Sequence, residues 1–148
     1  MDIEQLREEI EADEGNVPEI YLDHLKLPTF GIGHLIKKTD QEYGMPVGTA
    51  VSRKRINSCF NDDILGTIED CEKLYKDFYK LPEEVKLILC NMMYNLGYTR
   101  LSKFSKLKKA INDNNWEEAS KQMHQSKWRV QVPNRAERLI KRMKAVGA

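Results

Sequence analysis

The chain has 148 residues, 41% apolar and 32% charged, with a formal net charge of +1. That length bounds it to one compact domain or two small lobes, and the composition suits a helix-rich globular protein rather than a disordered tail. No apolar run approaches the roughly 20 residues needed to span a bilayer, which excludes stable helical membrane insertion.

Ile3, Leu6 and Ile10 share one helical face, so the spacing predicts a helix over residues 2–13, stopped by Gly15. Residues 18–33 lose that period and carry Ile20, Tyr21, Phe30 and Ile32 among Pro and Gly, which predicts a short antiparallel hairpin. Residues 37–51, with Gly44, Pro46 and Gly48, read as a loop. Ser52 is a good N-cap. From there Ile56, Phe60, Ile64, Ile68, Cys71, Leu74/Tyr75 and Phe78 predict one helix over 52–78, interrupted only by Gly66. Such a helix of about 26 residues is about 39 Å long, more than a small domain is wide. It therefore predicts two lobes with a cleft between them, a favoured place for a ligand. Pro82, Glu83 and Glu84 open the next helix, which Gly97 ends. Further helices are predicted over 101–113, 116–124 and 133–145. The expected fold is α+β and mostly α. Residues 1–51 make a first helix plus hairpin lobe, 52–78 the connecting helix and 79–148 a helical lobe.

Charge is unevenly placed. Residues 1–99 hold 11 Lys/Arg against 19 Asp/Glu, a net of −8, and residues 100–148 hold 13 against 4, a net of +9. A basic half fits a polyanionic partner; it equally fits solvated helix surface attracted to the acidic half. Cys59, Cys71 and Cys90 lack Cys-x-x-Cys spacing and read as small buried hydrophobes in a reducing compartment. Cys59 and Cys71 on one helix would stand about 18 Å apart, too far for a disulfide. His24, His34 and His124 are scattered without metal-ligand spacing.

Glu14 closes the first predicted helix, Asp23 follows nine positions on in the hairpin, and Thr29 six further. Two carboxyls on separate elements can divide glycosidic hydrolysis, one protonating the leaving oxygen and the other activating water. The helix end and Asp13 both disfavour a second negative charge at Glu14, which suits a general acid. Position alone fits a solvated helix-end Glu, a turn Asp and an ordinary strand Thr just as well. Gly31-Ile32-Gly33 lacks the third glycine of a nucleotide fingerprint, and instead lets the backbone bend or a ligand approach. Trp116 and Trp128 read as core.

Thr29-Phe30-Gly31-Ile32-Gly33-His34-Leu35, preceded by Asp13-Glu14-Gly15 and Ile20-Tyr21-Leu22-Asp23, resembles the active-site region of the phage-type lysozymes. A second stretch agrees independently: Asn91-Met92 through Gly97, Phe104, Trp116-Glu117-Glu118-Ala119, Ser126-Lys127-Trp128, Gln131 and Pro133-Asn134-Arg135-Ala136-Glu137-Arg138. The resemblance covers nearly the whole chain and implies a two-lobed lysozyme-like fold. It makes Glu14 the expected general acid. Asp23 becomes the carboxylate that activates water or steadies the oxocarbenium charge, and Thr29 the residue that holds the water. It implies inversion, with the carboxyls roughly 6.5–9.5 Å apart. Arg135 is expected to meet Glu14 and to favour its charged form, opposing the helix end; Arg138 is expected beside Asp13. Leu35, Tyr94 and Gln122 are expected to line the sugar-binding cleft. Lys26 and Pro28 depart from the family pattern in the hairpin, where a turn glycine is usual at the first. Leu107 stands where a polar cleft residue is unsurprising.

The resemblance implies an endolysin-like muramidase that cleaves the β-1,4 bond after N-acetylmuramic acid in peptidoglycan, as a monomer and without metal or cofactor. Met1-Asp2-Ile3-Glu4 shows no leader, so the expected location is the host cytoplasm, with a separate holin-type protein permeabilising the membrane. One rival is a catalytically weak wall-binding or virion component on the same fold. The other is a nucleic-acid-binding helical protein, which leaves Glu14, Asp23 and Thr29 unexplained; no nucleic-acid partner is expected. His34 needs a polar partner if buried. Asp62 and Asp63 lie about ten residues into the long helix, and the resemblance favours an ion pair of His34 with Asp63.

Overall fold

A computed structural model describes all 148 residues. The chain divides into two compact units, Met1–Leu6 with Thr67–Ala148, and Arg7–Gly66. No helix is long and apolar enough to cross a membrane.

In the unit Arg7–Gly66, α1 (Ile3–Glu14) delivers its C-terminal half, with Ile10 fully buried. Three strands follow, β1 (Val17–Leu22), β2 (Pro28–Gly31) and β3 (His34–Leu35), in one antiparallel sheet of order β1-β2-β3. The hairpin expected over 18–33 is present. The third strand is only two residues long, too short to leave a period in the sequence. Cross-strand partners are Val17 with Gly31, Tyr21 with Thr29, Leu22 with Pro28, Thr29 with Leu35 and Phe30 with His34. Residues 37–51 form turns, tied back by a bridge between Glu19 and Ala50.

Ser52 caps α2 (Arg53–Leu74), its Oγ accepting from the Arg55 N–H at 3.1 Å. The helix has 22 residues and stops before the expected end at 78. Asp77 takes a left-handed conformation, φ 51°, and Phe78–Lys80 form a single 3-10 turn. Tyr75 and Phe78 are buried all the same, so the apolar period outlasts the helix that it indicates.

In the unit holding Thr67–Ala148, α3 (Glu83–Leu96) ends at Gly97, φ 79°. The helix expected over 101–113 is shorter, α5 (Ser105–Asn112), because Phe104 adopts non-helical backbone, φ −80° and ψ 67°; a separate short helix, α4 (Tyr98–Leu101), precedes it. Then come α6 (Trp116–His124), α7 (Lys127–Gln131) and α8 (Pro133–Val146). The five-residue α7 was not expected; its signal is the Ser126 cap, whose Oγ accepts from the Arg129 N–H. α8 packs on α3, α6 and α7. Trp128 is 98% buried yet satisfied, its indole N–H donating to Asn95 Oδ1 at 2.8 Å. All three cysteines are buried and free. The neighbouring Cys90 thiol and then burial push the Cys71 thiol far above its usual range.

Candidate active site

Glu14 is the last residue of α1, where Gly15 turns left-handed at φ 76° and returns its N–H to Glu11 O. Arg7, two turns earlier, lies 4.7 Å over the Phe60 ring and hydrogen-bonds Asn61, so this half of α1 is held on α2. The glycines after β2 have separate tasks. A Cβ on Gly31 would fall 2.8 Å from the Ile56 side chain, so this glycine lets β2 pack on α2. A Cβ on Gly33, at φ 62°, would fall 2.6 Å from Glu14 Oε1 and 3.1 Å from its carboxyl carbon. The candidate acid therefore rests against bare backbone. In Gly33→Ala the flexible Glu14 side chain swings away, and the main cost falls on the placement of its carboxyl. Activity is expected to drop about ten- to a hundredfold, while the left-handed strain lowers stability by only about 1–2 kcal/mol. Paired lysis and thermal-melt measurements check this; unchanged lysis would show that the position of the carboxyl does not matter.

Asp23 starts the hairpin turn. Its N–H donates to Leu27 O at 3.0 Å, and its Oδ1 accepts from the N–H groups of Leu25 at 2.8 Å and Leu27 at 2.9 Å. One carboxylate oxygen is thus spent on shaping the turn, while Oδ2 makes no hydrogen bond within the chain. Thr29 is 97% buried, and its hydroxyl donates to Leu27 O at 2.9 Å. Its proton is committed, so its lone pairs remain to accept. Tyr21, the cross-strand partner of Thr29, was not singled out by sequence reasoning. Burial pushes its phenol up, and the charges of Glu14 and then Asp23 push it further, so both carboxylates act on one half-buried ring. The available signal was period two: Tyr21 and Asp23 are two residues apart on one face.

The two departures in the hairpin are both accommodated. Pro28 opens β2 opposite Leu22. Lys26 takes φ 62°, the left-handed conformation that favours glycine. Lys26→Gly should relieve strain of about 1–2 kcal/mol, less the added freedom of the unfolded glycine. A net gain of up to about 1 kcal/mol in urea unfolding is expected; a loss would mean that Lys26 makes a compensating interaction.

His34, on β3, is 95% buried and bonded at both ring nitrogens. Nδ1 lies 2.7 Å from Asp63 Oδ2 on α2, as expected, and Nε2 lies 2.8 Å from Asp40 Oδ2, which was not. Arg55 extends the network. Its Nη2 donates to Asp40 Oδ1 at 3.3 Å and to Glu42 Oε1 at 3.0 Å, and its Nε to Glu42 Oε2 at 2.9 Å. Burial pushes His34 down, but the bonds to Asp63 and Asp40 outweigh it and leave the imidazole above its ordinary value. Burial likewise pushes Asp40 up, and the Lys37 N–H, His34 and Arg55 together bring it below its ordinary value. The Arg55 fork does the same for Glu42, against burial. The network joins β3, the loop at 40–42 and α2, and so fixes the sheet that carries Thr29.

Glu14, Asp23, Thr29, His34, Leu35 and Asp63 all lie in the unit Arg7–Gly66. Leu35 pairs across the sheet with Thr29 and is 47% exposed. Tyr94, Gln122 and Arg135 lie in the other unit. Tyr94 is half-buried on α3, and Gln122 on α6 donates to Glu118 Oε1 at 3.3 Å. Arg135 is buried on α8; its Nε donates to Asn91 Oδ1 at 2.7 Å and its Nη2 to Asn91 O at 3.3 Å.

The chain is similar in sequence to known proteins. The family model for phage lysozyme matches residues 11–145. "Probable T4-type lysozyme 2" of Dictyostelium discoideum is 30% identical, over 93% of this chain and 92% of its own length. "Probable T4-type lysozyme 1" of the same organism is 26% identical with the same coverage. "Pre-baseplate central spike protein Gp5" of Enterobacteria phage T4 is 25% identical over 90% of this chain, which corresponds to 26% of its own. The family match takes in Glu14, the hairpin and every helix from α2 to α7. The chain therefore belongs to the phage lysozyme family and is a glycoside hydrolase of lysozyme type.

Proposed function

We propose that this chain is an endolysin-like muramidase that hydrolyses the β-1,4 bond between N-acetylmuramic acid and N-acetylglucosamine with inversion, for host cell lysis. Glu14 gives its proton to the leaving glycosidic oxygen. A water molecule donates one hydrogen to Asp23 Oδ2 and the other to Thr29 Oγ1, which turns its own lone pair toward the anomeric carbon. The carbon–oxygen bond to the leaving sugar breaks as the bond to water forms, and the water's proton passes to Asp23. The observation that carries this reading is the division of labour at Asp23 and Thr29. Asp23 Oδ1 and the Thr29 hydroxyl proton are both committed to backbone of the turn, which leaves one carboxylate oxygen and one set of lone pairs to share a water. The proposed setting is the host cytoplasm, with a monomeric enzyme reaching the wall once a holin-type protein has opened the membrane.

The stereochemistry tests it. Proton NMR of freshly cut peptidoglycan fragments should show the α-anomer first. A first-formed β-anomer would assign a retaining route and make Asp23 the nucleophile. Asp23→Asn is severely impaired in either case, so the anomer decides. A virion-associated role for the same fold draws support from the relative named as a baseplate spike protein. A peptidoglycan suspension that keeps its turbidity under the isolated chain would favour that second reading.

A further inference from the structure

Tyr21, Thr29 and Leu35 stand side by side on one face of the sheet, because Thr29 pairs directly with Tyr21 on β1 and with Leu35 on β3. Directly opposed residues have their Cβ atoms about 5 Å apart. The outer two are therefore about 10 Å apart, two strand spacings, with the small threonine between two large side chains. Thr29 is 97% buried, Tyr21 half-buried and Leu35 47% exposed. The hydroxyl that receives the water in the reaction proposed above thus lies at the bottom of a slot, with a phenol ring along one wall and an apolar chain along the other. Asp23 follows Tyr21 by two residues on the same face. Burial pushes the Tyr21 phenol up, and the charges of Glu14 and then Asp23 push it further, so the ring lies within reach of both carboxyls.

The floor of the slot cannot draw back. The Thr29 hydroxyl donates to Leu27 O at 2.9 Å, and Asp23 Oδ1 accepts from the N–H groups of Leu25 at 2.8 Å and Leu27 at 2.9 Å. Behind the strand, Gly31 leaves no room for even a Cβ against Ile56, so β2 is already pressed on α2. A rigid seat discriminates by size. Water carries no substituent on its oxygen, whereas an alcohol brings a carbon that must fit beside the ring. With inversion the nucleophile arrives on the face opposite the leaving sugar, so this slot decides which hydroxyl attacks. We propose that Tyr21 selects the acceptor of the reaction: its ring narrows the slot over Thr29 to a single water and turns away the hydroxyls of sugars and other alcohols, so that each cut ends in hydrolysis and not in transfer of the glycan. The inference rests on the placement of water by Asp23 and Thr29 proposed above. With the ring gone, an alcohol oxygen bonds to the anomeric carbon in place of water. Its proton passes to Asp23, the Glu14 proton goes to the leaving oxygen, and the product is an alkyl α-glycoside instead of a reducing sugar.

The test is cutting of purified peptidoglycan by the whole chain in water containing methanol or glycerol, with alkyl glycosides and reducing ends counted by mass spectrometry. The wild type is compared with Tyr21→Phe, Tyr21→Leu and Tyr21→Ala. One extra carbon against a fitted wall is worth about tenfold or more, so the ratio of alkyl glycoside to reducing end should rise at least about tenfold from wild type to Tyr21→Ala. Tyr21→Leu should fall between, and Tyr21→Phe, which keeps the ring, should keep the wild-type ratio. A merely structural role for the ring lowers both products together and leaves the ratio unmoved, which would overturn the proposal. So would a wild type that forms methyl glycoside in proportion to the methanol present, or a ratio that rises in Tyr21→Phe as far as in Tyr21→Ala. Truncated variants that cut nothing would make the ring part of the cutting itself and overturn its role as acceptor gate. A first-formed β-anomer from the wild type would instead overturn the placement of water at Asp23 and Thr29, whatever the ratios, so the two failures are told apart.

Discussion

Glu14→Gln lowers reducing-end release from purified peptidoglycan at least a hundredfold, the lower bound of what a positioned general acid contributes. The substitution keeps the shape of the side chain and removes only the proton that the leaving oxygen needs. Gln also fits against Gly33, where a Cβ in place of the glycine hydrogen would meet the carboxyl at 2.6 Å. Stability should change little, because Glu14 is half-exposed at the C-terminal end of α1 and sits outside the buried core. A matched urea unfolding curve with lost activity therefore isolates chemistry from folding. Near-wild-type activity would place the acid elsewhere, and the close approach of Gly33 to Glu14 would then have to be explained by packing alone.

The sequence carried the helical elements wherever a period of three to four residues ran between recognisable caps. α1, α3 and α8 emerged because Gly15, Pro82, Gly97 and Pro133 punctuate them. The errors share one cause: apolar spacing reports burial, and backbone conformation reports something else. Tyr75 and Phe78 continue the apolar period of α2 after the helix has ended at Leu74. Leu101 and Leu107 are both buried across a break at Phe104 that no spacing reveals. β3 and α7 are simply too short to show a period.

The site was legible to a different degree. Glu14, Asp23 and Thr29 stand out as a combination of residue types with glycines at fixed offsets, and none stands out alone. What each atom does was not legible. That Asp23 spends Oδ1 on the turn, that Thr29 donates to Leu27 and that Gly33 makes room for Glu14 are facts of backbone geometry. Asp40, Glu42 and Arg55 were missed because their pairing with one another and with His34 spans up to 15 residues without periodic trace. Asp63 was reached only because a family resemblance pointed to it.

His34→Asn should cost most stability near pH 5 and little in alkali, because it breaks a charged cluster whose hold depends on pH. Asp40 and Asp63 only accept hydrogen bonds when ionised, so the imidazole bonded to both carries a proton on each nitrogen. His34 lies above its ordinary 6.5 in the folded chain. Its contribution is therefore complete below 6.5 and is lost as pH rises through the higher folded value. Asp40 lies below its ordinary 3.8. Its contribution is complete above 3.8 and is lost as pH falls through the lower folded value. Both are fully present only between these two limits. Removing the imidazole there takes away the cation that lies between Asp40 and Asp63, while Arg55 still meets Asp40 at 3.3 Å. A loss of about 3 kcal/mol at pH 5 is expected, the low end for breaking a buried pair, since the carboxylates keep some contact with water. Urea unfolding of wild type and variant across the pH range checks it. The difference between the two curves should peak inside the window and shrink above the folded value of His34. Curves that run parallel from acid to alkali would mean that His34 stabilises the sheet by packing on Phe30, 4.8 Å away, and not by its charge.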